Sequence, residues 1–230
     1  MEKKWVYIML TDTGTWLNKV VKKYTDAPYN HASIGLDENL ETLYSFGRKK
    51  PKNPFYGGFV KEDVVSGTYR HFPNTKCVLY RLQITDKQYK RIRRIIKKFE
   101  NRKHKYTFNF IGLMAVMIDK PVKRKSAYFC SQFVAEVLRR SGVYVFDKES
   151  ALVQPNDLSN VPKLEKLYEG KLYDYDKVLD KFEEPPYMQD IPGYDFFLKS
   201  LKKRIHFVNP MFYYHYASDK MSKKEELQKK

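Results

Sequence analysis

A capped amphipathic helix in the middle of the chain constrains the fold most strongly. The segment Thr85 to Gln88 fits a capping box, in which a threonine hydroxyl and a glutamine side chain satisfy N–H groups at a helix start. The apolar residues that follow recur at three- and four-residue spacing: Tyr89, Ile92, Ile95, Ile96 and Phe99. This spacing puts them on one face of a helix, and that face has to be buried against another layer of structure.

A second amphipathic helix is predicted to start near Tyr128. It has four apolar residues on one face: Phe133, Val134, Val137 and Leu138. Ser141-Gly142 ends it, because glycine readily takes the left-handed conformation that a helix end needs. A further apolar stretch, Phe108 to Ile118, is too short to span a membrane and is predicted to be a buried helix.

Short segments rich in aromatic and β-branched residues predict strands elsewhere in the chain. The predicted strands are Lys4 to Leu10, His31 to Leu36, Leu40 to Phe46 and Cys77 to Leu82. Trp16 to Tyr24 is predicted as a helix, and Gly47 to Gly58, with two prolines and three glycines, as a loop. Together these patterns predict an α+β fold with a small antiparallel sheet packed on helices.

Composition limits the class of protein. The 230 residues are 42% hydrophobic, which is enough for a sizeable core and excludes a disordered polycation. Lys and Arg number 44 against 27 Asp and Glu, giving a net charge of +17. Ten basic residues and two acids fall between Asp86 and Lys105. That segment is either a solvated helix face or a surface for anionic partners such as lipid headgroups or acidic polymers. No motif specific for nucleic acid is present.

The compartment and the cofactors are predicted from features that the sequence lacks. The apolar run Trp5 to Leu10 is too short for a signal-peptide core, and two cysteines do not make a disulfide framework. We therefore expect a cytoplasmic protein, with peripheral attachment to a membrane left open. The five histidines are scattered, and no glycine-rich phosphate loop is present. Neither a metal nor a cofactor is expected.

One cysteine and one histidine carry the chemistry of interest. Cys130 falls in the first turn of the second helix, where the partial positive charge of the helix end favours a thiolate. Free N–H groups there can also stabilise an oxyanion. A thiolate nucleophile needs a base, and His31 stands at the start of a predicted strand. Four other histidines leave this pairing open, and a structural role for both residues is the alternative. Cys77, inside a strand pattern, is predicted to be a core residue.

Two segments resemble the NlpC/P60 superfamily of papain-like hydrolases. Tyr128 to Val134 is similar to its nucleophile helix, written aromatic-x-Cys-Ser-x-Phe-Val, and Tyr29 to Leu36 to its histidine strand. The histidine precedes the cysteine here, which resembles the circularly permuted, YiiX-like branch and the related lecithin:retinol acyltransferases. Weaker similarity is found at Tyr106 to Leu113 and at Val153 to Leu158. The resemblance runs from about Lys4 to Leu158 and implies a permuted papain-like fold.

The family also uses a polar residue on the next strand to orient the histidine. Alignment with the family pattern puts Ser45 at that position. A serine hydroxyl can accept from an imidazole N–H, although it stabilises imidazolium less than a carboxylate does. Leu43 and Ser45 share one face of the predicted strand, so a one-residue slip would put Tyr44 there instead. Glu41 is a more distant candidate.

The resemblance implies a cysteine hydrolase that cleaves amide bonds, of peptide or N-acyl amino-acid type, through an acyl-enzyme on Cys130 with His31 as base. Two alternatives stay open. The same pair can transfer an acyl chain from a phospholipid, or the protein is a non-catalytic module that binds anionic surfaces. We expect residues 1–160 to form the catalytic domain. Residues 161–230 would be a charged and aromatic extension, with Tyr187 to Tyr216 packed on the domain.

Overall fold

A computed structural model describes residues 3–13, 28–50, 53–116 and 119–181. Its main element is an antiparallel sheet of six strands, in the order β4-β3-β2-β1-β5-β8. These strands are β1 (Lys4–Asp12), β2 (His31–Gly35), β3 (Leu43–Lys50), β4 (Asn53–Glu62), β5 (Lys76–Ile84) and β8 (Glu165–Lys171). A parallel pair, β6 (Thr107–Phe108) and β7 (Ala127–Tyr128), forms a second small sheet.

Helices occupy the spaces between and after the strands. They are α1 (Asp86–Asn101), α2 (Phe110–Val116), α3 (Cys130–Ser141) and α4 (Asp176–Leu179). Short 3-10 turns lie at Thr68–His71, Lys103–Lys105, Ser150–Leu152, Pro155–Asn160 and Leu172–Asp174. The predicted α+β class is therefore confirmed. None of the helices in the described part of the chain is both long and apolar enough to cross a membrane.

The two predicted amphipathic helices form as their patterns indicate. The Thr85 hydroxyl accepts from the backbone N–H of Gln88 at 3.2 Å, so α1 begins with the predicted cap. Its predicted stripe is buried, apart from Tyr89, which is half-buried against the same core. Helix α3 ends at Gly142, whose φ of 74° is the left-handed conformation expected for a C-terminal glycine.

Each face of the sheet has its own hydrophobic core. Helices α1 and α3 pack on one face, against apolar side chains of β1, β2, β3 and β5. An aromatic cluster at the end of this core, formed by Phe46, Phe59, Phe99, Tyr128 and Phe133, joins the sheet to the start of α3. On the opposite face, the chain after β8 covers Met9, Leu79 and Cys77.

Two parts of the sheet were not predicted from the sequence. Most of the segment Gly47 to Gly58, predicted as a loop, is strand: β3 continues to Lys50 and β4 starts at Asn53. Strand β4 lies at the edge of the sheet, where a proline is tolerated because its missing N–H breaks no central pairing. The sheet also continues past residue 160, because β8 pairs with β5 and belongs to the same compact unit.

Three predicted features lie outside the described residues. These are the helix from Trp16 to Tyr24, the end of the apolar stretch at 117–118, and the aromatic segment from Tyr187 to Tyr216.

Candidate active site

Strand β2 brings His31 to the end of the sheet nearest α3. His31 is its first residue and lies opposite Thr11 of β1. Among the described residues, β2 pairs with β3 only at Ile34 and Gly35. The first half of β2 is therefore unpaired on that side, which leaves room for the start of α3.

Helix α3 places Cys130 in this gap as its first residue. The Cys130 side chain is buried, and its thiol is hydrogen-bonded to His31. The backbone N–H groups of Ala32 and Ser131 also donate to its sulfur. The Ala32 N–H is available because this part of β2 does not pair with β3. The structure thus brings together the two residues for which the sequence predicted a nucleophile and a base.

The imidazole of His31 also contacts a carboxylate. Nε2 of His31 lies 2.7 Å from Oε1 of Glu62, the last residue of β4. Both side chains are largely shielded from solvent, with 21% of His31 and 9% of Glu62 exposed. Cysteine, imidazole and carboxylate form a continuous hydrogen-bonded row.

Four side chains donate to the Glu62 carboxylate. Oε1 accepts from His31 and from the hydroxyl of Ser45. Oε2 accepts from the hydroxyls of Ser33 at 2.7 Å and of Tyr69 at 2.9 Å. Each oxygen thus has two donors, so the carboxylate is fixed in position and its negative charge is stabilised.

The shifts in pKa follow from this arrangement. Burial alone would raise the pKa of the Cys130 thiol, but the adjacent His31 and the two backbone N–H groups lower it. Burial alone would lower the pKa of His31, but Glu62 and the Cys130 thiolate raise it to about 10. The pKa of Glu62 is lowered despite burial, because His31 and the serine hydroxyls favour its ionised form. The site therefore favours a thiolate–imidazolium pair over a neutral thiol and imidazole.

The residue that orients His31 differs from the prediction. Ser45 was predicted for this role, but Nε2 of His31 donates to Glu62, and the Ser45 hydroxyl donates to Glu62 as well. Tyr44 lies on the opposite face of the sheet and stacks on Phe59. Glu41 is exposed, 3.8 Å from Lys181.

The sequence did not indicate a role for Glu62, because the strand that carries it was not predicted. In the antiparallel register Leu43 lies opposite Glu62 and Ser45 opposite Val60, so Glu62 and Ser45 share a face. With Gly47 to Gly58 taken as a loop, no pairing connected Glu62 to β3. The aromatic and β-branched residues Tyr56, Phe59 and Val60 were the signal that could have revealed the strand.

A cleft with a volume of about 670 Å³ opens onto Cys130 and His31. Its apolar lining includes Tyr56, Phe59, Val60, Tyr69, Phe72, Phe108 and Leu113. Its basic lining consists of Lys49, Lys61, Lys103 and His104. The cleft that opens onto the thiol is therefore lined mainly by apolar side chains and also carries basic ones.

The other cysteine contrasts with Cys130. Cys77 is buried in the second core, and burial raises the pKa of its thiol to about 12. Among the described residues there is no group of three or more His, Cys, Asp or Glu side chains that could hold a metal ion.

Comparison with known proteins adds no assignment. No protein-family model matches the chain, and no curated protein is significantly similar to it.

Proposed function

We propose that this protein is a cysteine hydrolase with a circularly permuted papain-like fold that cleaves amide bonds. The observation that carries the proposal is the hydrogen-bonded row of Cys130, His31 and Glu62 at the start of α3. A nucleophile, a base and a residue that orients the base are the parts that acyl transfer through a thiol requires. The similarity of Tyr128 to Val134 and of Tyr29 to Leu36 to NlpC/P60 motifs supports the same assignment.

The first half of the reaction forms a thioester. The Cys130 thiolate attacks the carbonyl carbon of the amide, and the electron pair of the carbonyl bond moves to its oxygen. N–H groups at the start of α3, which lack acceptors within the helix, can stabilise that oxyanion. When the intermediate collapses, the C–N bond breaks and the His31 imidazolium gives its proton to the departing amine.

The second half regenerates the site. Neutral His31 removes a proton from water, whose oxygen attacks the thioester carbon. The C–S bond then breaks, the acid product leaves, and the thiolate–imidazolium pair is restored. Glu62 acts throughout as a positioning residue, because it holds Nε2 of His31 and stabilises the imidazolium.

Transfer of an acyl chain from a phospholipid by the same residues is the second candidate. The apolar lining of the cleft, including Phe59, Phe72 and Leu113, favours it because an acyl chain can be buried there. A third candidate is binding of anionic surfaces without catalysis, favoured by the exposed basic face of α1. This face consists of Lys87, Lys90, Arg91, Arg93, Arg94, Lys97 and Lys98.

One experiment separates the three candidates. The protein is treated with p-nitrophenyl acetate, and intact mass and p-nitrophenol release are followed in the parent and in Cys130→Ala. A hydrolase shows a burst, one acetyl group on Cys130, and loss of that group to water. A phospholipid acyltransferase instead becomes acylated by phosphatidylcholine vesicles and loses its acyl group mainly to an added amine. If neither donor acylates Cys130, the catalytic proposal fails, and salt-sensitive vesicle binding that survives Cys130→Ala would favour the binding module.

A further inference from the structure

We propose that the cleft recognises an anionic group on the substrate, held by Lys49, which lies across the paired glycines Gly47 and Gly58 from His31, and by Lys103. This inference rests on the proposed function, because it names the class of amide that Cys130 attacks. It is carried by the distribution of charge around the cleft and by the geometry of β3 and β4.

The carboxylates that line the cleft already have partners within the protein. Glu62 accepts from four side chains. Asp63 accepts from the backbone N–H groups of Val65 and Ser66, and Glu100 pairs with Lys97 at 3.0 Å. Each of these three carboxylates is therefore already hydrogen-bonded or ion-paired to a group of the protein.

The lysines of the cleft are not matched in the same way. Among the described residues, no carboxylate lies within ion-pair distance of Lys49, Lys61 or Lys103. Nζ of Lys49 instead lies 6.0 Å from the ring centroid of Tyr56. The cleft thus presents cations without counterions beside aromatic surface, an arrangement that suits an amphipathic anion.

The glycines of β3 and β4 locate Lys49 relative to His31. A Cβ on Gly58 would lie 2.9 Å from Nζ of Lys49 and 2.5 Å from the carbonyl oxygen of Tyr106. A Cβ on Gly47 would lie 3.5 Å from Cε1 of His31. Gly47 and Gly58 are directly paired and share a face, so Nζ of Lys49 lies no more than about 12 Å from the imidazole.

Lys103 lines the same cleft from a different segment. Its carbonyl oxygen accepts from the backbone N–H of Tyr106, the residue whose own carbonyl packs over Gly58. Lys49 and Lys103 thus belong to different segments that line the same cleft. The substrate class that fits is an amide whose carbonyl is separated by a short apolar spacer from a carboxylate or a phosphate.

The test uses affinity alkylation of Cys130. The chloroacetamide of ε-aminocaproate carries a carboxylate at the end of a spacer. The extended length of this spacer is comparable with the separation between Nζ of Lys49 and the His31 imidazole. Its neutral partner is the chloroacetamide of ε-aminocaproamide, and the chloroacetamide of aminopentyl phosphate tests the other source of the anion. The rate of modification of Cys130 by each probe is measured by mass spectrometry. Dividing the anionic rate by the neutral rate removes the intrinsic reactivity of the thiol.

We expect the anionic probe that matches the substrate to react about three- to tenfold faster than the neutral one, as expected for two partly exposed ion pairs. The ratio of the anionic to the neutral rate should fall towards one in the double variant Lys49→Gln, Lys103→Gln and at high salt. The matched control Lys87→Gln, Lys171→Gln removes the same charge from exposed positions outside the cleft lining and leaves the preference unchanged. A larger preference for phosphate than for carboxylate assigns the source of the anion.

The inference and the proposed function fail in different ways. If Cys130 reacts readily but the anionic preference is absent, or survives in the double variant, the anion site is overturned and the hydrolase proposal stands. If Cys130 is unreactive, the site is tested by calorimetry on Cys130→Ala with the acetamide of ε-aminocaproate and with that of aminopentyl phosphate. If either acetamide binds and this binding is lost in the double lysine variant, the inference is supported. If neither acetamide binds, the inference is overturned.

Discussion

Oε1 of Glu62 lies 2.7 Å from Nε2 of His31, although β4 and β2 are separated by the whole width of β3. The side chain of Glu62 can span this distance because Ser45 and Gly47, the residues of β3 that lie beside Glu62 and His31 on that face, are small. The Ser45 hydroxyl donates to the same oxygen of Glu62. The orientation of the imidazole thus depends on three strands together.

Replacing Glu62 by glutamine should weaken the nucleophile. The neutral amide no longer stabilises the His31 imidazolium, so the pKa of His31 falls and that of Cys130 rises. We expect alkylation of Cys130 by iodoacetamide at pH 6 to slow by about tenfold or more, since one pKa unit changes the thiolate fraction tenfold. Glu165→Gln, which removes an exposed carboxylate paired with Arg81, is the matched control. An unchanged rate in Glu62→Gln would show that Glu62 does not support the pair.

Replacing Tyr69 by phenylalanine should destabilise the fold and loosen Glu62. The Tyr69 hydroxyl is one of two donors to Oε2, and its loss leaves a buried carboxylate oxygen with Ser33 alone. We expect the free energy of unfolding to fall by about 1.5–3 kcal/mol, the usual range for a hydrogen bond to a charged group. Urea denaturation at pH 7 measures this change. Equal stability of the variant and the parent would mean that Tyr69 contributes no net hydrogen-bond energy.

Adding a methyl group at Gly47 should disturb the imidazole directly. The new Cβ would lie 3.3 Å from Oγ of Ser45 and 3.5 Å from Cε1 of His31. Gly35→Ala is a matched control, because its Cβ would meet Tyr7 and Leu43 at 3.4 and 3.5 Å, away from His31. We expect Gly47→Ala to slow Cys130 alkylation several-fold, while Gly35→Ala changes thermal stability only. Equal alkylation rates in the two variants would contradict a tightly packed imidazole.

Local sequence patterns were sufficient for the helices and for two members of the site. The capping box at Thr85 and the apolar stripes of α1 and α3 are short-range features, and the structure contains both helices with the predicted buried faces. His31 and Cys130 stand at the starts of elements that such patterns define. Their position relative to each other depends on the packing of α3 against β2, which no local pattern encodes.

The third member of the site, Glu62, could be predicted only from contacts between residues far apart in the sequence. The composition of Gly47 to Gly58 is typical of a loop, yet its glycines serve close packing within a strand pair. A Cβ on Gly57 would lie 2.8 Å from the carbonyl oxygen of Gly47 and 2.9 Å from Cβ of Phe108. The register of β3 and β4 then places Glu62 on the same face as Ser45. Both strands also pack against β6, and such tertiary contacts are not encoded in local propensity.

The pH dependence of alkylation at Cys130 tests the central claim most directly. Iodoacetamide reactivity of both cysteines is followed by mass spectrometry in the parent and in His31→Ala, with thermal unfolding used to confirm that the variant is folded. A free thiol titrates at about pH 8.5, whereas a thiol paired with a histidine titrates well below that pH. Because the pKa of Cys130 is lowered, its rate should stay high at pH 6 and decline only as the pH falls through that lowered pKa.

Cys77 serves as an internal control in this measurement, because its buried thiol should react slowly throughout. We predict that His31→Ala removes the reactivity of Cys130 at pH 6 and moves its titration up towards that of an ordinary thiol. Slow reaction of Cys130 at pH 6, with a titration that does not change in His31→Ala, would contradict the thiolate–imidazolium pair.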